Sequence, residues 1–483
     1  MGSRMCWTLV APLLTAGALL AASSATAADW NRFRGPNGSG VAEGTPAPLE
    51  FGPEKAVVWR TPLPPGKSSP VLAGGRVFLT AHEGDKLLTI ALDRRNGKTL
   101  WTRSLLRSRV DGRHQLNDAA TPTPVTDGES LYVFFADFGL VAYSVDGQEL
   151  WRLPLGPFSS PRGMASSPML SGGVLVLPLE QRDDSAVLGV DASSGTIKWK
   201  VPRPPSSGGS YSTPVAYRTA AGETQAVVSS PFEVAAYDPQ TGDKLWWVGG
   251  IPHQPKSSPF VAGDLIVLGV QGDTRRNRFP SWEKMLGDYD KDASGFLMPD
   301  EVSKGMRDNF DGTDYDRDGV FRRDDYDKLV AEITPDSQLM ALRPEGRGDL
   351  TRQAVLWSVT RGVPRVTTPI VYNGVIYLVR NGGIFAALDL ATGKMAKQGR
   401  LREAVDEYFA SPVAANGRIL AASRGGKLTW VKAGADWEVL QVNDLGEECF
   451  ATPALAPDGV FVRTAAALYL FAAGAPSQGP ERQ

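Results

Sequence analysis

The chain has 483 residues, 42% hydrophobic and 22% charged. That composition excludes a disordered chain, and the length exceeds one ordinary domain. With 51 Lys and Arg against 53 Asp and Glu, it lacks the basic excess of a dedicated nucleic-acid binder. Two Cys and three His exclude a disulfide framework and a histidine-rich metal site.

Residues 1–27 read as a secretory signal. Arg4 supplies the positive start, Trp7 to Ala22 the apolar run, and Ala25-Thr26-Ala27 the small-residue cleavage site. Cys6 leaves with this segment, so the mature chain keeps Cys449 alone. Its apolar surroundings predict a buried, inert thiol. No later stretch is long and apolar enough to span a membrane. The protein is expected to be periplasmic or secreted.

After a leader at 28–55, one unit repeats. A hydroxyl residue followed by proline opens an apolar strand at Ser69, Thr123, Ser167, Thr213, Ser258, Thr368, Ser411 and Thr452. The spacings are 54, 44, 46, 45, 110, 43 and 41 residues. Five of the seven fit one propeller blade of about 40–50 residues, and the first, at 54, runs slightly over. Within each unit, β-branched and aromatic runs alternate with Gly-rich turns, which predicts four strands per blade. The last unit, near Ala454, lacks a fourth strand, whereas Val58-Trp59-Arg60-Thr61-Pro62-Leu63 matches Leu150-Trp151-Arg152-Leu153-Pro154-Leu155. The N-terminal strand is therefore expected to complete blade eight and close the ring. The fold class is all-β: an eight-bladed propeller over 56–270 and 336–474, with a short disordered tail at 475–483.

The second half of the unit is more specific. Asp93 and Gly97 lead to Trp101, Asp191 and Gly195 to Trp199, and Asp238 and Gly242 to Trp246. Asp caps the turn, Gly supplies a positive φ, and Trp fills the gap between blades. Lys397 replaces the Trp in the sixth unit, and Trp437 closes a looser seventh. This pattern resembles the tryptophan-docking repeat of pyrroloquinoline-quinone-like propellers. The segment Asp29-Trp30-Asn31-Arg32-Phe33-Arg34-Gly35-Pro36 is similar to the leader of their secreted members.

The interval of 110 residues contains an insertion at 271–335 with 16 acidic and 11 basic residues. Two segments match the EF-hand loop template. In the first, Asp290, Asp292 and Ser294 occupy ligand positions one, three and five. Gly295 makes the sharp turn, Phe296 offers its carbonyl, and Glu301 closes the site. In the second, the corresponding residues are Asp314, Asp316, Asp318, Gly319, Val320 and Asp325. Asp325 is one methylene shorter than the usual Glu, which predicts weaker Ca²⁺ binding or Mg²⁺ tolerance. Leu297 and Phe321 sit where paired loops join as a short β-pair. Helices are expected at 280–287, 302–310 and 324–333. The insertion follows the second strand of blade five, so it shares a face with Lys67, Arg162, His253, Lys256, Arg365 and the loop 107–120. A calcium-ordered lid or rim over one mouth of the channel is expected there. The run Arg275-Arg276-Asn277-Arg278 reads as a solvated face.

Two functions remain open at this point. One is a non-catalytic, calcium-binding scaffold for a protein or cell-envelope partner, similar in architecture to the propeller lipoprotein of the bacterial barrel-assembly machinery. The other is a quinoprotein dehydrogenase oxidising an alcohol or sugar, which the resemblance implies would hold pyrroloquinoline quinone. Those enzymes often stack the quinone on a disulfide of adjacent cysteines, and here the mature chain has one Cys. Hydrolase motifs such as G-x-S-x-G and H-E-x-x-H are absent from the sequence. A monomer is expected.

Overall fold

The computed structural model describes residues 2, 30–160, 162–204, 209–252, 254–272, 279–308 and 310–475. The signal segment, most of the C-terminal tail, His253 and the 275–278 run lie outside the described residues, so those expectations are not addressed.

Eight antiparallel sheets form the ring. Blade one shows the pattern. Val71–Ala73 lies innermost, followed by Arg76–Glu83, Lys86–Asp93 and Thr99–Leu106. The two middle strands are buried on both sides in their central residues. The outer strand is mostly exposed and buries Trp101 and Leu105. Burial on both faces follows from stacking each sheet between two neighbours, which makes these strands read as continuous apolar runs. Blade eight is built as the sequence implies. Val57–Pro62 pairs antiparallel with Ala467–Phe471, setting Trp59 opposite Leu470. One strand from the chain's start and three from its end share a sheet, so the ring has no open seam.

The Ser/Thr-Pro motifs close the ring a second time. The Ser69 N–H donates to the Thr123 hydroxyl, Thr123 to Ser167, Ser167 to Thr213 and Thr213 to Ser258. The circuit continues from Ser258 to Thr368, Ser411 and Thr452, and returns to Ser69. All eight bonds measure 2.9–3.1 Å. A hydroxyl at this position satisfies a buried N–H of the adjacent blade. The proline that follows has no N–H to leave orphaned.

On the outer side, the tryptophans dock as expected. The Nε1 groups of Trp59, Trp101, Trp151 and Trp199 donate to the carbonyls of Arg94, Val145, Ala192 and Pro239 in the next blade. Each ring lies against a turn glycine: a Cβ on Gly195 (φ +73°) would meet Trp151 at 2.6 Å. Blade four departs from this scheme. Trp246 Nε1 bonds within its own blade to Gln225 Oε1 at 2.8 Å. Residues Gly348–Asp349, from a long turn of blade five, add as a parallel fifth strand beside Trp246 and Trp247. That extra strand occupies the edge over which the docking turn of blade five would otherwise close. Trp357 resumes the pattern on Leu390. Trp437 turns back to the Lys397 carbonyl instead.

The leader runs across the inner strands. Trp30 and Asn31 carbonyls accept the N–H groups of Leu72 and Thr126, in blades one and two. Asn37 pairs through both ends of its amide with Ala216 in blade four. Gly40 and Ala42 join Ala414 in blade seven. The segment bridges several blades before its chain enters blade eight.

Candidate functional site

The insertion forms a compact helical unit with its own core of Trp282, Met285, Leu297, Val302, Phe310, Phe321, Leu329 and Ile333. Its helices span Trp282–Tyr289, Lys304–Arg307, Phe310–Thr313 and Arg323–Ile333. The single helix expected over 302–310 is instead two short pieces, and the second of these runs into the next acidic loop at Asp314. Ser281 and Ser303 cap the first two helices by accepting N–H groups from Lys284 and Met306.

The two acidic loops share one backbone plan. In the first, the Ser294 and Gly295 N–H groups donate to the two Asp290 oxygens at 3.0 and 2.9 Å. Glu301 accepts from Lys291 and Met298 N–H at 3.1 and 2.9 Å. In the second, Asp314 accepts from Arg317 and Gly319 at 2.7 and 2.9 Å. Asp325 accepts from Tyr315 and Arg322 at 2.9 and 3.0 Å. Gly295 and Gly319 both have φ near +80°, the sharp turn that favours glycine. Leu297 and Phe321 exchange two backbone bonds of 3.0 and 2.8 Å, joining the loops back to back.

The carboxylates converge accordingly. One ligand oxygen from each of Asp290, Asp292 and Glu301 falls within 4.8 Å of the others, as do those of Asp314, Asp316 and Asp325. Ser294 and Asp318 stand at the matching fifth positions, and the carbonyls of Phe296 and Val320 at the seventh. Ser294 Oγ currently donates to the Phe296 carbonyl at 3.1 Å. Arg322 Nε holds one Asp318 oxygen at 2.9 Å. Hydrogen bonds from Ser294 hold Asp292 below its ordinary carboxylate value. Burial moves Asp314 the other way, outweighing the Gly319 and Arg317 N–H bonds, with Asp316 and Asp325 adding to the rise. A cation between these oxygens would relieve that repulsion.

The unit leans toward blade three. Arg317, from the second loop, pairs with Asp183 on the blade-three turn, and Arg182 lies against Gly312. No described residue of the insertion lines the axial cavity. The described part of the unit thus sits beside blade three rather than in the cavity wall.

The axial cavity opens on the same face, with a volume of about 400 Å³. The eight Ser/Thr of the hydroxyl ring line it, together with Phe33, Lys67, Arg162, Lys256 and Arg365. The loop 107–120 contributes His114, Leu116 and Asn117. That loop is anchored by Asp137, fully buried, which pairs with Arg107 and Arg113. Sequence reading identified the cations but treated the Ser/Thr residues as punctuation and left Arg32, Phe33 and Arg34 as leader. The signal was available: all eight motif positions carry a hydroxyl, although turn chemistry alone admits several other residues.

Fold and repeats together define a pyrroloquinoline-quinone-like β-propeller. A family model described as outer membrane protein assembly factor BamB matches residues 52–164 and 90–284. Among solved structures, BamB from Moraxella catarrhalis is 10% identical with a TM-score of 0.50, covering 81% of this chain and 96% of that one. A europium-containing methanol dehydrogenase, also 10% identical, aligns with a TM-score of 0.55 over 91% of this chain and 90% of the other. The computationally designed Ika8 protein gives 0.51 at 10% identity, covering 86% and 99%. No curated protein matches the sequence. At such identities the likeness defines the fold alone.

Proposed function

We propose that the protein is an exported, calcium-binding β-propeller that acts by binding a protein or cell-envelope partner rather than by catalysis. The observation that carries this reading is the duplicated acidic loop. Two segments of different sequence present carboxylates on the same N–H framework, which is how an EF-hand pair pre-arranges oxygen ligands for Ca²⁺. The ligands would be Asp290, Asp292, Ser294, Glu301 and the Phe296 carbonyl in the first site. Asp314, Asp316, Asp318, Asp325 and the Val320 carbonyl would serve in the second. The contact with blade three through Arg317 and Asp183 supports a role for calcium in fixing the surface of the propeller there. No described helix is long and apolar enough to cross a membrane.

The dehydrogenase alternative places pyrroloquinoline quinone in the axial cavity with a catalytic calcium beside it. The wall fits that arrangement poorly. Among the described lining residues Glu407 is the sole carboxylate, and it already pairs with Arg424 at 2.9 Å. The two readings separate on mixing the mature protein with the quinone and Ca²⁺ while following absorbance and dye-coupled alcohol or sugar oxidation. The scaffold reading predicts no turnover. Turnover at a saturable quinone concentration would overturn it.

A further inference from the structure

Behind the floor of the axial cavity, which Phe33 lines, lies charge that no described carboxylate balances. Arg32 and Arg34 are 6% and 1% exposed, on either side of Phe33, which lines the cavity. Each donates through Nη2 to a proline carbonyl, Arg32 to Pro214 and Arg34 to Pro369, the latter at 3.0 Å. Those prolines directly follow Thr213 and Thr368 of the hydroxyl ring. Among the described residues, no carboxylate pairs with either guanidinium, and Arg32 Nε, Arg34 Nε and Arg34 Nη1 meet no acceptor. Burial alone pulls the two groups down, to about 10 and about 9.

The walls add donors of the same sense. Each ring hydroxyl accepts one N–H from its neighbour, and none of the eight hydroxyl protons has an acceptor among the described residues. Farther out, Lys67 lies over the Phe450 ring at 4.4 Å. Arg365 is exposed at the mouth and pairs with no carboxylate among the described residues. The one described lining carboxylate, Glu407, is paired with Arg424, and a low-dielectric channel with a net excess of one sign concentrates the opposite sign. Buried guanidiniums without partners are costly unless an anion compensates them.

We infer that the axial cavity is a binding site for a tetrahedral dianion, a sulfate or phosphate group, seated over Phe33 within the ring of Ser/Thr hydroxyls, with the buried Arg32 and Arg34 guanidiniums behind that floor and Lys67, Arg162, Lys256 and Arg365 around it. Two unbalanced guanidiniums match a dianion in charge, and hydroxyls arriving from every blade suit an acceptor with oxygens in several directions. The volume admits either the free ion or the same group carried on a single sugar. This inference is independent of the calcium module.

The test is isothermal titration of the mature protein, in a zwitterionic buffer with chloride held constant, using sodium sulfate, sodium phosphate, glucose 6-sulfate, glucose 6-phosphate and succinate. One saturable site per chain is expected for at least one tetrahedral probe. Tighter binding of the sugar esters than of the free ions would identify a carried group, and the reverse order a free ion. Arg34→Gln, which removes a buried positive charge behind the floor, is expected to weaken binding by about tenfold. Arg365→Gln, at an exposed position with no fold to disturb, is expected to weaken it by a smaller factor and to make its loss with salt shallower. Should Arg34→Gln fail to fold, thermal melts of wild type decide: the binding probe raises the midpoint with concentration and succinate does not. No saturable binding of any tetrahedral probe, equal binding of succinate, or affinity unchanged in Arg365→Gln together with a folded Arg34→Gln would overturn the inference.

Discussion

Replacing Thr368 by Val removes one acceptor from the hydroxyl ring and keeps the side-chain shape. The Ser258 N–H, which donates to Thr368 Oγ1 at 2.9 Å, then has no partner in a site where both residues are about 95% or more buried. Leaving a buried N–H unsatisfied costs about 1–3 kcal/mol, whereas the hydroxyl lost with it had no acceptor of its own among the described residues. Thr368→Ser keeps the acceptor and loses one methyl, about 0.8 kcal/mol. Melting is a blunt readout here, because at ~2.1 cal/mol/K per residue a chain of this size shifts only ~1 °C per kcal/mol. Amide hydrogen exchange at Ser258 is sharper. Thr368→Val is expected to raise its opening equilibrium roughly 5- to 150-fold, with the serine variant raised at most about fourfold. Unchanged protection at Ser258 in the valine variant would refute the idea that the ring is held by these hydroxyls.

Gly195→Ala is expected to destabilise the ring by at least ~1 kcal/mol more than Gly263→Ala in urea titrations. Both positions have positive φ, but only the first places a Cβ against an indole; equal losses would contradict the docking account. Burial pushes the Cys449 thiol up to about 12, so iodoacetamide is expected to label it only after denaturation, even at mildly alkaline pH. Labelling of the native protein would show an exposed thiol. Burial opposes ionisation of Glu447, yet hydrogen bonds from Thr464, Tyr469 and Arg60 hold it below its ordinary value. A folded value below the unfolded one means this contribution is complete above the unfolded value, ~4.3, and is lost as pH falls through the folded one. The urea midpoint of wild type should therefore fall more steeply below pH ~4 than that of Glu447→Gln. Parallel curves would remove Glu447 from the acid response.

The ring itself was legible because its units repeat the same local chemistry eight times. The sequence match between Val58–Leu63 and Leu150–Leu155 correctly paired the two chain ends, since a docking tryptophan, Trp59 or Trp151, marks both of these strands. Blade four was not legible. Its Trp246 sits in a regular motif, and only the parallel addition of Gly348–Asp349, from a turn about a hundred residues downstream, redirects it. The convergence of Asp290, Asp292 and Glu301, and of Asp314, Asp316 and Asp325, was legible because the spacing of each loop is dictated by one tight turn. Their contact with blade three was not, since the Arg317–Asp183 pair joins residues far apart in the chain. The axial floor escaped notice for a related reason. Arg32 and Arg34 look like surface cations in a polar leader, and their burial appears only when the leader is laid across the inner strands.

Calcium titration of the mature protein tests the central claim most directly. Heat and the fluorescence of Trp282, which packs 6.0 Å from Phe321 between the loops, serve as paired readouts. Two sites are expected, with the first tighter because Arg322 competes for Asp318 in the second. Affinities of about 10⁻⁴–10⁻³ M or better would suit an exported module. Glu301→Gln should remove the tighter site, Asp325→Asn the weaker, and the double variant both, with the propeller still folded by circular dichroism. Absence of saturable calcium uptake by the folded wild-type protein at millimolar calcium would contradict the account.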